Sequence, residues 1–226
     1  PQGMDSMSVD LARELTRNNW AEIFGRLHRW VDYDYQIVLN EPFDNPSDNW
    51  PAYLAYEDEL MTLAERDGKR LCILNFAGGS PGDWDFWARE IVPHIQRAER
   101  GGHVYGRHAY GGELVRDVDG VTVPYDDNIG RIIREVEYLR SIGCNIDVHG
   151  TEIGFHGGFN FVGVEMFVPQ TIAFAGLCRA AGVASLAMWS LGDWEHHNAN
   201  WQDAIPRLKE YLVSANGSQL HPDLLG

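Results

Sequence analysis

Two glutamates in this sequence each follow an apolar run and a small polar residue. Glu41 stands in QIVLNEPFDN, residues 36–45, and Glu152 stands in IDVHGTEIGF, residues 146–155. Proline has no N–H for a strand ladder, so the run that leads to Glu41 cannot continue past Pro42. We therefore expect both carboxylates at the carboxyl ends of strands, the edge where parallel α/β folds carry ligand sites.

Two opposed carboxyl groups are what the hydrolysis of a glycosidic bond requires. One group protonates the oxygen of the leaving group, while the other attacks the sugar or activates water. Two further strands are predicted between Glu41 and Glu152, so a barrel can place both on one rim. A single glutamate at a strand end is more often a solvated residue or a helix N-terminal charge. The pair therefore indicates the chemistry, and neither residue does so alone.

Strands and helices alternate along the chain, which predicts an α/β fold with a parallel sheet. Apolar runs predict five strands, at residues 36–40, 71–76, 103–106, 145–149 and 183–189. Amphipathic segments predict helices at residues 8–31, 50–66, 84–98, 127–141 and 168–181. No linker rich in glycine, serine or proline interrupts the pattern, so residues 1–226 are expected to form a single domain.

Five strand and helix units are fewer than a closed eight-stranded barrel contains. Such a barrel usually takes ~250 residues, whereas this sequence has 226. Three arrangements stay open. Either the sequence is a fragment, or a separate polypeptide supplies further strands, or the sheet is smaller and closes differently.

Charge and hydropathy exclude several kinds of partner. The formal net charge is -15 at pH 7, which repels nucleic-acid phosphates and anionic membrane surfaces. No apolar stretch reaches the ~20 residues that span a bilayer, and PQGMDSMSVD lacks the basic and apolar regions of a signal peptide. We therefore expect neither nucleic acid nor a membrane as a partner. The 12% aromatic content favours a flat-faced ligand such as a sugar.

The histidines are possible metal ligands, and the cysteines are possible free thiols. Histidines at or after predicted strand ends are His103, His108, His149, His156, His196 and His197. His103 and His108 lie five positions apart, which directs them to opposite faces of a strand, and no HxH or HExxH pair is present. We therefore expect no catalytic metal and no other cofactor. The three cysteines lie in or beside apolar segments, which indicates buried thiols.

The sequence resembles the clan of retaining (β/α)8 glycoside hydrolases that contains endoglucanases, mannanases, β-galactosidases and β-xylosidases. The motifs LNEP and TEIG, in that order, carry the resemblance. In that clan the acid/base glutamate follows an asparagine at the end of the fourth strand, and the nucleophilic glutamate ends the seventh. The resemblance implies that Glu41 is the acid/base, Asn40 binds the sugar 2-hydroxyl, and Glu152 is the nucleophile.

Further motifs imply further contacts with a carbohydrate substrate. GRHAYGG offers Tyr110 as the aromatic residue that hydrogen-bonds the nucleophile, with His108 beside it. LAMWSLGDW offers Trp189 as the floor of the site. Asn75 and Trp84 lie in NFAGGSPGDWDFW, on the expected catalytic rim. Trp84 either stacks on a sugar ring or anchors the following helix against the barrel.

The resemblance implies an α/β fold of the TIM (β/α)8-barrel type, with about five βα units, strands four to eight of the clan, visible in this chain. A further chain or segment would supply the first three strands. The expected function is retaining hydrolysis of a neutral oligosaccharide or polysaccharide through two glutamates. A noncatalytic carbohydrate-binding or truncated barrel module is the alternative, followed by a metal-dependent barrel hydrolase. The resemblance favours a secreted or cell-surface location.

Overall fold

Helices and strands alternate along the chain. The computed structural model describes residues 6–28, 34–41, 49–155, 159–188 and 206–210. The strands are β1 (Gln36–Ile37), β2 (Leu71–Phe76), β3 (Val104–Gly111), β4 (Val115–Val118), β5 (Val121–Pro124), β6 (Val148–Phe155) and β7 (Ser185–Met188). The helices are α1 (Val9–His28), α2 (Trp50–Arg66), α3 (Trp84–Phe86), α4 (Val92–Arg100), α5 (Asp127–Ser141) and α6 (Phe159–Ala181). A π-helical turn, Trp87–Ile91, joins α3 to α4.

Five of the strands form one sheet, in the order β1-β2-β3-β6-β7. All neighbouring pairs are parallel, and the order in the sheet follows the order along the chain. The sheet curls into about half of a barrel. The predicted α/β class and the parallel sheet are therefore confirmed.

Four of the five predicted strands differ from the structure in their bounds, and two of these differences concern the glutamates. β1 ends at Ile37, and Asn40 and Glu41 follow it in a bend. β6 begins only at Val148 and continues to Phe155, so Glu152 lies inside the strand. The glycines of this segment suggest a break, but pairing with β3 continues across them, because backbone hydrogen bonds need no side chain.

A hairpin that the periodicity does not predict lies between β3 and α5. Its strands β4 and β5 are antiparallel and form a separate two-stranded sheet. Asp119 and Gly120 make the turn, with φ angles of 54° and 80°. Positive φ at both central residues is what a type I′ turn requires, and Asp-Gly is a preferred pair for it.

The hydrophobic core lies between the sheet and the helices that cover its outer face. α5 contributes one apolar stripe, whose fully buried members are Ile129, Ile132, Val136 and Leu139. This spacing places the four side chains on one side of a helix. Burying each such side chain contributes roughly 1.5–3 kcal/mol, so the stripe is sufficient reason for α5 to dock on the sheet.

The burial of the cysteines confirms the prediction from the sequence. All three cysteines are buried free thiols. Burial raises the pKa of Cys72 and of Cys178 to about 12, which keeps both thiols protonated and unreactive. Within the described residues, no helix combines the length and the apolar character needed to cross a bilayer.

Candidate active site

A bulge in β6 sets the direction of the Glu152 side chain. Arg107 and His108 are consecutive in β3, and Thr151 is an extra residue of β6 inserted between their two pairing partners. Side chains alternate between the two faces of a regular strand, and an extra residue breaks the alternation. Thr151 and Glu152 consequently both turn toward the inner face of the curled sheet, where each has a hydrogen-bond partner.

A second bulge lies in β2, where the pairing with β3 shifts between Ile73 and Phe76. Inside it the backbone is left-handed, with φ of 67° at Leu74 and 46° at Asn75. Glu41 also has a φ of 46°. Residues other than glycine hold this conformation at a cost of order 1–3 kcal/mol each, and only where surrounding contacts fix them. Such residues concentrate at functional sites.

The imidazole of His108 lies between the two glutamates. Its Nδ1 is 2.8 Å from Oε1 of Glu41 and 3.5 Å from Oε2 of Glu152. One oxygen of each glutamate and a ring nitrogen of His108 all lie within 4.8 Å of one another. The His108 side chain is fully buried, whereas Glu152 is 15% exposed and Glu41 is 44% exposed. The two predicted glutamates therefore meet at one place, with Glu41 on the solvent side.

Tyr110 binds the more buried of the two glutamates. Its hydroxyl donates to Oε2 of Glu152 over 2.5 Å. Tyr110 and His108 are two positions apart on β3, so both point to the inner face. Burial, together with the hydrogen bond to Glu152 and the negative charge nearby, raises the pKa of Tyr110 far above its ordinary value. The phenol therefore stays protonated and remains a donor to the carboxylate.

A chain of amide groups reaches Glu152 from its other side. Nδ2 of Asn40 donates to Oε1 of Glu152 over 3.4 Å. Nδ2 of Asn75 in turn donates to Oδ1 of Asn40 over 2.5 Å. The hydroxyl of Thr151 donates to Oδ1 of Asn75. Each amide oxygen thus accepts a hydrogen bond, which directs the Asn40 N–H toward the carboxylate.

Asn75 and His108, which the sequence predicts as substrate-binding residues, lie beneath the surface of the site. Both are fully buried, so neither presents surface to a ligand in this structure. Asn75 holds Asn40, and its backbone oxygen also accepts the N–H of Glu41 over 3.1 Å. His108 contacts both glutamates. These two buried residues therefore hold Asn40 and the two glutamates in place.

Trp84 packs against helices. Its ring stacks on that of Trp87, with centroids 4.8 Å apart, and meets Tyr138 edge-on. The guanidinium carbons of Arg131 and Arg134 lie 5.0 and 4.8 Å from its centroid. The described contacts therefore favour the interpretation that Trp84 anchors a helix, and none of them involves the glutamates.

Four predicted residues lie outside the part of the chain that the structure describes. Trp189 is the one that the resemblance assigns to the floor of the site. The others are His156, His196 and His197.

His103 and His149, the other two of these histidines that the structure describes, do not join His108 in one ligand group. His103 precedes β3, and its Nδ1 accepts the N–H of Leu71 over 2.9 Å. His149 lies beside Ser185 of β7, with 2.6 Å between Nδ1 and Oγ. Among the described residues, the one group able to hold a metal ion is Glu41, His108 and Glu152. Two carboxylates and an imidazole suit zinc, manganese or iron. Because this ligand group contains a single histidine, the spacing of histidines in the sequence does not reveal it.

Sequence reasoning missed Glu57, although a signal for it is present. On α2, Glu57 occupies the buried stripe that also contains Tyr53, Leu60 and Ala64. A charged residue within the apolar stripe of an amphipathic helix must find partners in the core.

No family model matches this chain, and no curated protein matches it significantly. The residues of the site are therefore the basis for a functional conclusion.

Proposed function

We propose that this protein is a retaining glycoside hydrolase that cleaves O-glycosidic bonds of a neutral oligosaccharide or polysaccharide. The observation that supports this most is the closeness of Glu41 and Glu152, which each contribute an oxygen within 4.8 Å of the other. Retaining glycosidases hold their carboxyl groups about 5–5.5 Å apart, whereas inverting enzymes leave about 6.5–9.5 Å for a water molecule. The pair fits the retaining geometry.

Glu152 is the nucleophile in this proposal. It is the less exposed glutamate, and two donors, from Tyr110 and Asn40, hold its oxygens in place. Hydrogen bonds to an ionised carboxylate stabilise the charged form that attack requires. The carboxylate attacks the anomeric carbon as the bond to the leaving oxygen breaks, which yields a covalent glycosyl-enzyme.

Glu41 is the acid/base. Its carboxyl group first donates a proton to the departing oxygen, then takes one from the water molecule that attacks the anomeric carbon and releases Glu152. Both steps need access for a leaving group and for water, and Glu41 is the exposed member of the pair. His108 contacts both carboxylates and thereby fixes their separation.

The proposed fold is a TIM (β/α)8 barrel in which β1, β2, β3, β6 and β7 are the fourth to eighth strands. The sheet order supports this, because it follows the chain as the winding of a single barrel requires. Three more strands, from a further segment or another chain, would complete such a barrel. The net charge of -15 supports a neutral glycan over a polyanionic one.

Hydrolysis and its stereochemistry test the proposal. The 226-residue chain is assayed on a panel of aryl β-glycosides and soluble polysaccharides, with Glu152→Gln and Glu41→Gln alongside. We expect both variants to lose turnover while keeping the wild-type melting temperature. Proton NMR should show the first-formed sugar with the anomeric configuration of the substrate.

Two results would contradict it. An inverted first product, or full activity of Glu152→Gln, excludes the double displacement. Binding of an oligosaccharide without release of reducing ends would instead support a noncatalytic carbohydrate-binding module.

A metal-dependent hydrolase is the second candidate, since Glu41, His108 and Glu152 form a possible ligand group. A metal enzyme would be purified with stoichiometric metal and would lose activity in EDTA. The retaining glycosidase keeps its activity in EDTA, because its two carboxyl groups supply the acid and the nucleophile.

A further inference from the structure

We propose that Glu57 of α2 is a positioning residue that clamps the β2 bulge and thereby orients both catalytic glutamates. This inference rests on the proposed function. Glu57 is 3% exposed. Its Oε1 accepts the backbone N–H of Leu74 over 2.7 Å and the hydroxyl of Tyr53 over 3.0 Å. Its Oε2 lies 2.8 Å from Nε2 of His94.

The hydrogen bond to Leu74 acts on a strained part of the strand. A bulge removes backbone groups from the ladder, and a buried N–H needs another acceptor. Glu57 supplies that acceptor at Leu74, the first of two successive left-handed residues. Without it, the peptide between Ile73 and Leu74 loses the contact that holds it against relaxation of Leu74 to an extended conformation.

Asn75 transmits the clamp to both glutamates. Its carbonyl oxygen accepts the N–H of Glu41, and its side chain donates to Asn40. Asn40 in turn donates to Glu152. A rotation of the backbone at Asn75 therefore displaces the main chain of the acid/base and one of the two donors to the nucleophile together.

The same helix offers a matched control at the other end of β2. Glu65 of α2 lies 3.1 Å from Nε2 of His103, whose Nδ1 accepts the N–H of Leu71. This is again a glutamate of α2 linked to a histidine and to a β2 amide. Leu71 is not left-handed, however, and it begins the strand, whereas the bulge lies near its end.

The test compares Glu57→Met, Glu57→Ala, Glu57→Gln and Glu65→Met. Methionine fills the space of Glu57 but offers no carboxylate oxygen, and alanine is a second acceptor-free variant if methionine does not fold. Glutamine keeps an oxygen for Leu74. The readouts are kcat and KM on an aryl β-glycoside, and amide hydrogen exchange by NMR at each assigned backbone N–H.

We expect Glu57→Met to lower kcat by about 10- to 100-fold with KM changed less than about threefold, since displacement by ~1 Å can cost about 100-fold in rate. Exchange at the Glu41 amide should be at least about tenfold faster, while amides outside the bulge keep their protection. Glu57→Gln should recover most of kcat. Glu65→Met should change neither kcat nor exchange at the Glu41 amide.

Wild-type kcat and unchanged exchange at Glu41 in the Met or Ala variant would overturn the clamp. An equal loss of kcat in Glu65→Met, with faster exchange throughout the sheet, would also overturn it, because the effect would then be general destabilisation. If the wild-type chain hydrolyses no substrate, the proposed activity of this chain by itself fails. Exchange at Glu41 then decides the clamp by itself.

Discussion

Tyr110 reaches Glu152 diagonally across two parallel strands. In the register of β3 and β6, Tyr110 is paired with Gly154, two residues beyond the glutamate. Glycine leaves the space opposite the tyrosine free of a side chain, and the phenol extends back to Oε2 of Glu152 over 2.5 Å. Glu152, the proposed nucleophile, is thus held by a donor from the adjacent strand.

Removal of that donor is expected to slow the reaction. Tyr110→Phe should lower kcat by about 10- to 100-fold, because a hydrogen bond to a charged group contributes about 1.5–3 kcal/mol. The melting temperature measures any accompanying loss of stability. Tyr125→Phe, which removes the hydroxyl of an exposed tyrosine, serves as the control. A Tyr110→Phe enzyme with wild-type kcat would exclude a catalytic contribution of this bond.

The raised pKa of Tyr110 gives a spectroscopic expectation for the same residue. Burial and the neighbouring carboxylate hold its phenol protonated well beyond the ordinary range. Tyrosinate absorbance at 295 nm should therefore rise equally in wild type and Tyr110→Phe as the pH passes ~10. A smaller rise in the variant, while both proteins stay folded, would show that Tyr110 ionises normally.

The two asparagines are expected to act as one unit. Asn40→Ala should lower kcat/KM about 10- to 100-fold, since it removes a donor to Glu152. Among the described contacts, the hydrogen bonds that lead from the Asn75 side chain to the Glu152 carboxylate pass through Asn40, so Asn75→Ala should add little in the double variant. A double-mutant cycle measures this coupling. Fully additive losses would indicate that Asn75 contacts substrate independently.

Substitution of Trp84 distinguishes a role in stability from a role in substrate binding. Its described contacts are with Trp87 and α5, so Trp84→Ala should reduce the free energy of unfolding by about 1–3 kcal/mol. The affinity for substrate, measured as KM on folded protein, should be unchanged. A tenfold rise in KM with unaltered stability would restore the interpretation that this ring stacks on sugar.

Acid stability is expected to depend on Asp67. Hydrogen bonds from Arg66 and from the Trp20 indole lower the pKa of this carboxyl from 3.8 to about 2. The folded state then binds the proton less tightly than the unfolded state does. The stabilisation is present above about pH 4 and is lost as the pH falls through about 2.

Urea unfolding between pH 2 and pH 6 tests this. Asp67→Asn should lower the midpoint at pH 6 and approach the wild type near pH 2. Asp85→Asn, at an exposed position, should change neither end of the range. If the difference between wild type and Asp67→Asn is the same at every pH, the ionised carboxylate is not the cause.

The sequence predicted regular elements better than irregular ones. Residues 71–76, 50–66 and 127–141 were predicted with the bounds that the structure has. Each is a run whose period matches its burial, so local pattern and tertiary packing agree. The hairpin at Asp119 and Gly120 was missed, although its turn pair is a recognised signal, because its strands are too short to show a period.

The sequence predicts that the two glutamates of the candidate site lie together, but it does not predict the geometry of the site. Strand order is enough to expect Glu41 and Glu152 on one rim. Simple alternation, however, sends consecutive residues such as Thr151 and Glu152 to opposite faces, and only pairing with β3 reveals the bulge that aligns them. The position of His108 between the carboxylates depends on three strands at once, which no local pattern encodes.

The two glutamates are anchored very unequally. Glu152 lies within an eight-residue strand paired on both sides, whereas Glu41 follows a strand of two residues at the sheet edge. Substitutions around Glu41 can therefore shift this proposed proton donor with little disturbance of the sheet, while those around Glu152 disturb its pairing. Natural or laboratory selection for new leaving groups should accordingly accumulate changes near Glu41 and conserve the neighbourhood of Glu152.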